Sequence, residues 1–272
     1  MDQHIDSEIL FRIERALEAA RSVLTRFTPG AVATEYKTGH DPVTEADRAV
    51  DAVLRRELLR LGEGWLSEES VDDFSRLERE RVWVVDPLDG TREFVAGIPE
   101  FCVSVAMVER GLPVAGGICN PATGEIFLGS LGSGVLYNGR PARASRRTNL
   151  HGAMILASRS EVKRGEWKRF ENASFTVRAV GSVAYKLALV SAGLADATFT
   201  LTPKHEWDVA AGAALVLSGG GLVSTLENAP VSCNHPSPLL SGLVACAPGL
   251  ADELRTLIAN YLPADCNPSR HG

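Results

Sequence analysis

The stretch Trp83-Val84-Val85-Asp86-Pro87-Leu88-Asp89-Gly90-Thr91-Arg92-Glu93-Phe94 constrains this chain more than any other. Residues 82–85 favour a strand, Pro87 cannot donate to a central ladder, and Gly90-Thr91 supplies a tight turn able to open a helix. Asp86 and Asp89 therefore leave the sheet together, on a loop whose backbone N–H groups point outward. Paired carboxylates suit hard divalent cations, while N–H groups and a helix dipole suit an anion such as phosphate. Taken alone, the segment also fits a capped turn with two solvated aspartates.

Ile5, Ile9, Ile13 and Leu17, with Leu10, Ala20 and Leu24, recur at helical spacing and predict an amphipathic helix over residues 4–26. A polar segment, residues 31–43, carries Lys37, Asp41 and Pro42. A second helix is expected from Thr44, with Val50, Val53, Leu54, Leu58 and Leu61 on its apolar face and Gly62 as its stop. Trp65-Leu66 leads into another acidic strand end, Ser67-Glu68-Glu69-Ser70, followed by a charged linker over 72–81. Strands predicted at 101–108, 113–119, 125–131 and 134–137 make a largely antiparallel sheet flanked by the two helices.

Beyond residue 150, strands at 155–157, 175–180, 197–201, 221–225 and 243–246 alternate with helices at 161–171, 182–192, 207–217 and 249–262. Such alternation is an α/β pattern. The expected division is an N-terminal α+β half, residues 1–148, with the antiparallel sheet and the metal-binding loops. The C-terminal α/β half, 149–272, would contribute Asp208 and substrate contacts.

The net charge of -6 and the lack of a long Lys or Arg run argue against a nucleic-acid polymer as partner; the nearest run, residues 143–147, holds three arginines. No apolar run reaches membrane-spanning length, and the N-terminus, with Asp2, Asp6 and Glu8, has no signal-peptide core, so a cytoplasmic protein is expected. The five cysteines, at 102, 119, 233, 246 and 266, are scattered without a C-x-x-C pair and read as reduced thiols. Cys233 with His235 alone does not make a zinc site.

Carboxylates stand beside turns in four separate segments: Asp41 and Asp47, Glu68 and Glu69, Asp86 and Asp89, and Asp208 in His205-Glu206-Trp207-Asp208-Val209-Ala210-Ala211-Gly212. Each has a structural alternative. Thr44 and Asp47 have capping-box spacing, Asp208 can cap the helix that follows it, and Glu69 suits a surface or supporting role.

Together, Glu68-Glu69, Asp86-Pro87-Leu88-Asp89-Gly90-Thr91 and Trp207-Asp208-Val209-Ala210-Ala211-Gly212 resemble the signature of the inositol monophosphatase superfamily, with Lys37, Asp41 and Asp47 matching upstream. The resemblance covers nearly the whole chain. It implies a layered αβαβα sandwich, a possible homodimer, and lithium-sensitive hydrolysis of small phosphate monoesters with two or three Mg²⁺ ions. By the same resemblance, Glu68, Asp86 and the Leu88 carbonyl would hold one metal, and Asp86, Asp89 and Asp208 a second. Thr91 would hydrogen-bond the attacking water with Asp47 accepting from its hydroxyl, Glu68 would share in catalysis, and the Gly90 and Thr91 amides would hold the phosphate.

Local details resemble the 3'(2'),5'-bisphosphate nucleotidases of the CysQ type: residues 41–47, Leu66-Ser67-Glu68-Glu69, Thr91-Arg92-Glu93-Phe94 and Glu100-Phe101. Where inositol enzymes commonly place a sugar-binding glutamate, seven residues before Asp208, this chain has Leu201, which cannot accept those hydrogen bonds. Gly181-Ser182 opens a helix expected to face the substrate, where Lys186 would reach a second phosphate; the alternative is a plain helix cap with Lys186 solvated, and Tyr185 would stack on a base or fill the junction. Adenosine 3',5'-bisphosphate is the leading substrate and inositol monophosphate the runner-up. A haloacid-dehalogenase register, D-x-D, does not fit acids three apart. A reading of another class is a regulatory or RNA-associated protein that has kept the fold.

Overall fold

Helix α1 (Gln3–Leu24) buries Ile9, Ile13, Ala16, Leu17, Ala20 and Leu24 along one stripe, as its 3.6-residue period requires. The computed structural model describes residues 3–36 and 42–260, so the expectations for Lys37, Asp41 and Cys266 lie outside the described residues. Within the segment read as polar, β1 (Thr34–Tyr36) pairs antiparallel with β2 (Pro42–Thr44). Helix α2 (Glu45–Leu58) starts at Thr44, whose hydroxyl accepts from the Ala46 N–H while its own N–H donates to Asp47. The helix ends at Leu58 rather than at Gly62. Arg12 donates to the Leu58 carbonyl, Leu59 turns extended, and Gly62, at φ 88°, serves the next turn instead.

The chain then lays down β3 (Gly64–Ser67), β4 (Arg81–Asp89), the short α3 (Thr91–Val95), β5 (Cys102–Glu109), β6 (Leu112–Asn120), β7 (Glu125–Ser130), β8 (Gly134–Tyr137) and β9 (Arg140–Ala142). These strands form one seven-stranded sheet in chain order, antiparallel except for the β3–β4 pair. The last strand, β9, was not anticipated. Pro87 is tolerated in central β4 because Asp86 pairs with Ser104 and Asp89 with Cys102, with an irregularity between them that excuses residues 87 and 88 from the ladder.

The remaining elements are β10 (Met154–Ser158), α4 (Arg159–Lys163), β11 (Thr176–Val180), α5 (Val183–Ser191), β12 (Ala197–Thr200), β13 (Lys204–His205), α6 (Glu206–Ser218), β14 (Leu222–Ser224), β15 (Leu239–Leu240), β16 (Leu243–Cys246) and α7 (Ala251–Ala259). A second sheet has the order β11-β10-β12-β16-β14; β16 alone runs antiparallel to the other four strands. The strands β13 and β15 form a separate ribbon that the sequence did not announce. The helix expected over 161–171 is instead α4 and a 3₁₀ turn, Lys168–Phe170, interrupted at Gly165 with φ 79°. Burial explains the break. Trp167 and Phe170 both turn inward onto Phe199, at centroid distances of 4.7 and 5.8 Å, and the Trp167 indole donates to Glu161.

Period-two alternation sorts the side chains into layers. Trp83, Val85, Val103 and Val105 meet α1 and α2, whereas Val82, Val84 and Ala106 meet α5 and α6. Leu156 of β10 faces that same helical layer, while Ile155 and Ala157 face α7 and the aromatic cluster. The result is a layered αβαβα sandwich, with α5 and α6 clamped between the sheets. Among the described residues, no helix is long and apolar enough to cross a membrane.

Glycines set how closely these layers approach. A Cβ at Gly116 would lie 2.5 Å from the Ala211 carbonyl oxygen of α6, and one at Gly117 would lie 2.2 Å from Ile13 of α1. On the other side of α6, a Cβ at Gly212 would lie 2.3 Å from the Leu187 Cβ of α5. Alanine at position 212 gains about 1 kcal/mol of helix propensity but forces two buried helices apart. We expect Gly212→Ala to destabilise the protein by about 1–3 kcal/mol net, read as a lower urea midpoint.

Candidate active site

Three elements converge on the carboxyl end of β4. Asp86 ends the regular ladder, is 1% exposed, and accepts from the Leu88 N–H at 2.9 Å. Asp89 closes β4, and the N-terminus of α5 grips it: the Ser182 hydroxyl donates to Oδ2 at 2.7 Å and the Ala184 N–H at 2.6 Å. Asp208, in the first turn of α6, accepts from the His205 N–H at 3.1 Å. One oxygen from each of Asp86, Asp89 and Asp208 lies within 4.8 Å of the other two. Glu68, just past β3, lies on the wall of the same cleft.

Confinement makes these charges expensive. Burial, and then the charges of Glu68, Asp89 and Asp208, push the Asp86 carboxyl well above the ordinary carboxylate range. Burial, Asp89 and Glu68 do the same to Asp208. Asp89 rises as well through burial, opposed by the Ser182 hydroxyl, the Ala184 N–H and the Lys186 charge. Oxygen-only donors, too close together to remain ionised unaided, match the chemistry of hard divalent cations, so the residues present fit such ions.

Beside this cluster stands a hydroxyl relay. The Thr91 Oγ1 lies 3.0 Å from Asp47 Oδ1 and 2.9 Å from the Leu88 carbonyl oxygen. The second Asp47 oxygen accepts from the Thr44 N–H at 2.7 Å and the Thr44 hydroxyl at 2.6 Å. The capping contact and the contact with Thr91 thus coexist on one carboxylate. Gly90 has φ 95°, and a Cβ there would meet the Glu100 carbonyl oxygen at 3.0 Å, so the turn requires glycine twice over.

The cleft encloses about 380 Å³. Besides the acids, its walls include Arg92, Arg159, Lys204 and the stacked His205–Trp207 pair, whose rings lie 4.4 Å apart at 7°. Sequence reasoning missed Arg159 and Lys204 as parts of this wall, and Glu100 as a support behind it. Glu100 accepts from Arg159 and, at 2.7 Å, from the Gly181 N–H. A signal was available in Ser158-Arg159-Ser160, a cation between small hydroxyl residues at a strand end.

Several expected substrate contacts are placed elsewhere. Lys186 is buried, and its ammonium donates to the Ser182 carbonyl at 2.8 Å inside α5, so it is a countercharge behind Asp89 rather than part of the cleft wall. Tyr185 fills the interior, with its ring edge toward Phe127 and its hydroxyl donating to Glu125. The Gly181 amide is taken by Glu100, and the Ser182 hydroxyl serves Asp89, although both residues line the cleft. Leu201 packs against the aromatic cluster of the outer layer, and it borders a small cleft with Trp167 and Phe199.

A β-strand ending in clustered acids, beside a hydroxyl relay and beneath a helix that carries a further aspartate, defines a metal-assisted phosphatase frame. The inositol monophosphatase family profile matches residues 5–263, and the chain belongs to that family. An inositol-1-monophosphatase of Rhizobium meliloti is 32% identical over 234 residues, covering 82% of this chain and 85% of that protein. The Nus factor SuhB of Xylella fastidiosa is 36% identical over 203 residues, covering 71% of this chain and 72% of its own length. Among solved structures, the extragenic suppressor protein SuhB from Bartonella henselae superposes with a TM-score of 0.77 at 30% identity, covering 92% of this chain and 97% of that one.

The raised acids have a measurable consequence. Folding that raises a carboxyl pKa takes up protons, so the cost is absent at low pH, where both states are protonated. Stability then falls as the pH climbs from about 4 through the raised folded values. In chelator, Asp208→Asn should therefore melt at or above the wild-type temperature at pH 8, with the difference closing toward pH 4. Magnesium should raise the wild-type melting temperature more than the variant's; thermal denaturation across pH reads both.

Proposed function

We propose that this chain is a magnesium-dependent, lithium-sensitive phosphomonoesterase in which water attacks phosphorus directly. The observation that carries this reading is the convergence of Asp86, Asp89 and Asp208 beside the Thr91–Asp47 pair. Glu68, Asp86 and the Leu88 carbonyl would hold one ion, and Asp86, Asp89 and Asp208 a second. When bound, the ions screen the phosphate oxygens and acidify water. With its proton directed at Asp47, the Thr91 oxygen accepts from the attacking water and leaves a water lone pair aimed at phosphorus; the departing proton passes through the hydroxyl to Asp47. Glu68 accepts from the same water, and the Gly90 and Thr91 amides hold the phosphate.

The leading substrate is a 3'(2'),5'-bisphosphorylated nucleotide, with adenosine 3',5'-bisphosphate going to AMP and phosphate. One feature supports it: Arg159 and Lys204 line the cleft where a second anionic group would be received. Inositol 1-phosphate is the second reading, favoured by relatives that bear the inositol-1-monophosphatase name. A regulatory, RNA-associated role, suggested by the Nus factor relatives, is weakened by the net charge of -6. A homodimer in the cytoplasm is the expected working form.

Phosphate release with magnesium should be faster on adenosine 3',5'-bisphosphate than on inositol 1-phosphate at matched concentration, and lithium should inhibit both. The opposite preference would transfer the assignment to inositol esters. Asp208→Asn should lose at least about 10²-fold in turnover at saturating magnesium, and Thr91→Ala about 10²–10⁴-fold; full turnover in either would overturn the residue assignments. Lys204→Ala and Arg159→Ala should raise KM about 10-fold or more for the bisphosphate, as expected for a lost charge-assisted contact, while sparing a monophosphate ester. Equal effects on the two substrates would remove both residues from the substrate contacts.

A further inference from the structure

Glu68 stands in a turn, and a single side chain holds both ends of that turn. Asp51 projects from α2, its Oδ1 accepting from the Ser67 hydroxyl at 2.5 Å and its Oδ2 from the Ser70 hydroxyl at 2.6 Å. A carboxylate only accepts, so both serine protons must point at it. The Ser67 oxygen is then free to accept from the Glu69 N–H, at 3.3 Å, across the turn. Residues 67–70 are thus fixed from outside by one carboxylate and from inside by one hydroxyl.

Asp51 lies one helical turn beyond Asp47 on α2. The first of these aspartates meets Thr91 at the end of β4, and the second meets the end of β3, which runs parallel beside it. One helix therefore registers both strand ends against each other. Nothing else in the proposed chemistry requires Asp51, which contacts neither the acid cluster nor the relay.

We propose that Asp51 is a positioning residue that sets the Ser67–Ser70 turn so that the Glu68 carboxylate completes the cation site. This rests on the phosphatase reading for its catalytic consequence, but cation binding tests it separately. Groups that orient metal ligands typically govern affinity by 10–100-fold when removed. Asp51→Asn keeps the shape and one acceptor oxygen, and its amide can donate to the other hydroxyl once that proton rotates away. Asp51→Leu keeps the bulk and loses both bonds.

The experiment is calorimetric titration of metal-free protein with magnesium chloride alone, alongside circular dichroism and the magnesium dependence of phosphate release. Asp51→Leu is expected to weaken magnesium binding about 10–100-fold with the wild-type spectrum retained, and Asp51→Asn to fall between the two. The magnesium concentration for half-maximal turnover should rise by the same factor, with substrate KM at saturating magnesium unchanged. Should Asp51→Leu fail to fold, Ser67→Ala and Ser70→Ala each remove one of the two bonds to Asp51 and should each weaken binding several-fold. Wild-type magnesium affinity in folded Asp51→Leu, or in both serine variants, overturns the proposal. Weakened binding in a protein that hydrolyses no phosphate ester would sustain it while removing the phosphatase reading.

Discussion

Mutual repulsion among Asp86, Asp89, Asp208 and Glu68 is the constraint on which the rest of this structure depends. Four carboxylates at the edge of a buried sheet would not be gathered by folding for stability, because each raises the cost of ionising the next. The frame offsets part of that cost locally. Asp86 receives the Leu88 N–H, Asp208 the His205 N–H, and Asp89 the first turn of α5 with Lys186 behind it. These contacts orient each acid without neutralising the set. The remaining imbalance is a driving force for taking up cations.

Holding the acids together requires that the elements carrying them cannot slide. Asp208 belongs to α6, which presses the Ala211 backbone onto Gly116 of the sheet and Gly212 onto Leu187 of α5. A helix fixed on both sides by backbone-distance contacts has little freedom to translate, so its first turn stays in register with the end of β4. Arg76 adds a second tie. Buried in the 72–81 segment, it binds Asp72, the Asn234 side chain and the His235 carbonyl, and the N–H groups of Asn234 and His235 in turn donate to Glu206 at the start of α6. The connection after Glu68 and the helix bearing Asp208 are therefore joined by a continuous polar chain.

Much of the site was legible because its chemistry is written locally. Asp86, Asp89 and Thr91 share one strand–turn–helix segment, and Pro87, Gly90 and the β-branched run fix which way that segment faces. The layers were legible from hydrophobic periods of 2 and 3.6. What failed depended on side chains meeting from distant positions. Lys186 occupies a spacing that suggested a phosphate ligand, but its rotation about α5 turns the ammonium onto the Ser182 carbonyl at the head of that helix. Residues 161–171 have helical composition, yet Trp167 and Phe170 gain more by joining Phe199 than a continuous helix would return. Lys204 and Asp51 carry no motif, and only the fold brings them to the cleft or its supports.

This division between local and assembled features bears on substrate choice. Asp86 and Asp89, Asp47, and Asp208 come from β4, α2 and the first turn of α6, elements locked by packing, whereas Arg159 and Lys204 come from the short α4 and the two-residue strand β13. Changes in such short, partly exposed segments alter the cleft at little cost to the core. Arg159 is already engaged by Glu100, which also holds the Gly181 N–H. An anionic group drawing Arg159 inward would therefore compete with Glu100, and part of its binding energy would go into that exchange. Among the described residues, the Lys204 ammonium donates only to the neutral Thr202 hydroxyl, at 2.9 Å, and gives up less when it turns to an anion. Of the two cations, Lys204 is the better placed to distinguish a substrate with a second phosphate from one with hydroxyls alone.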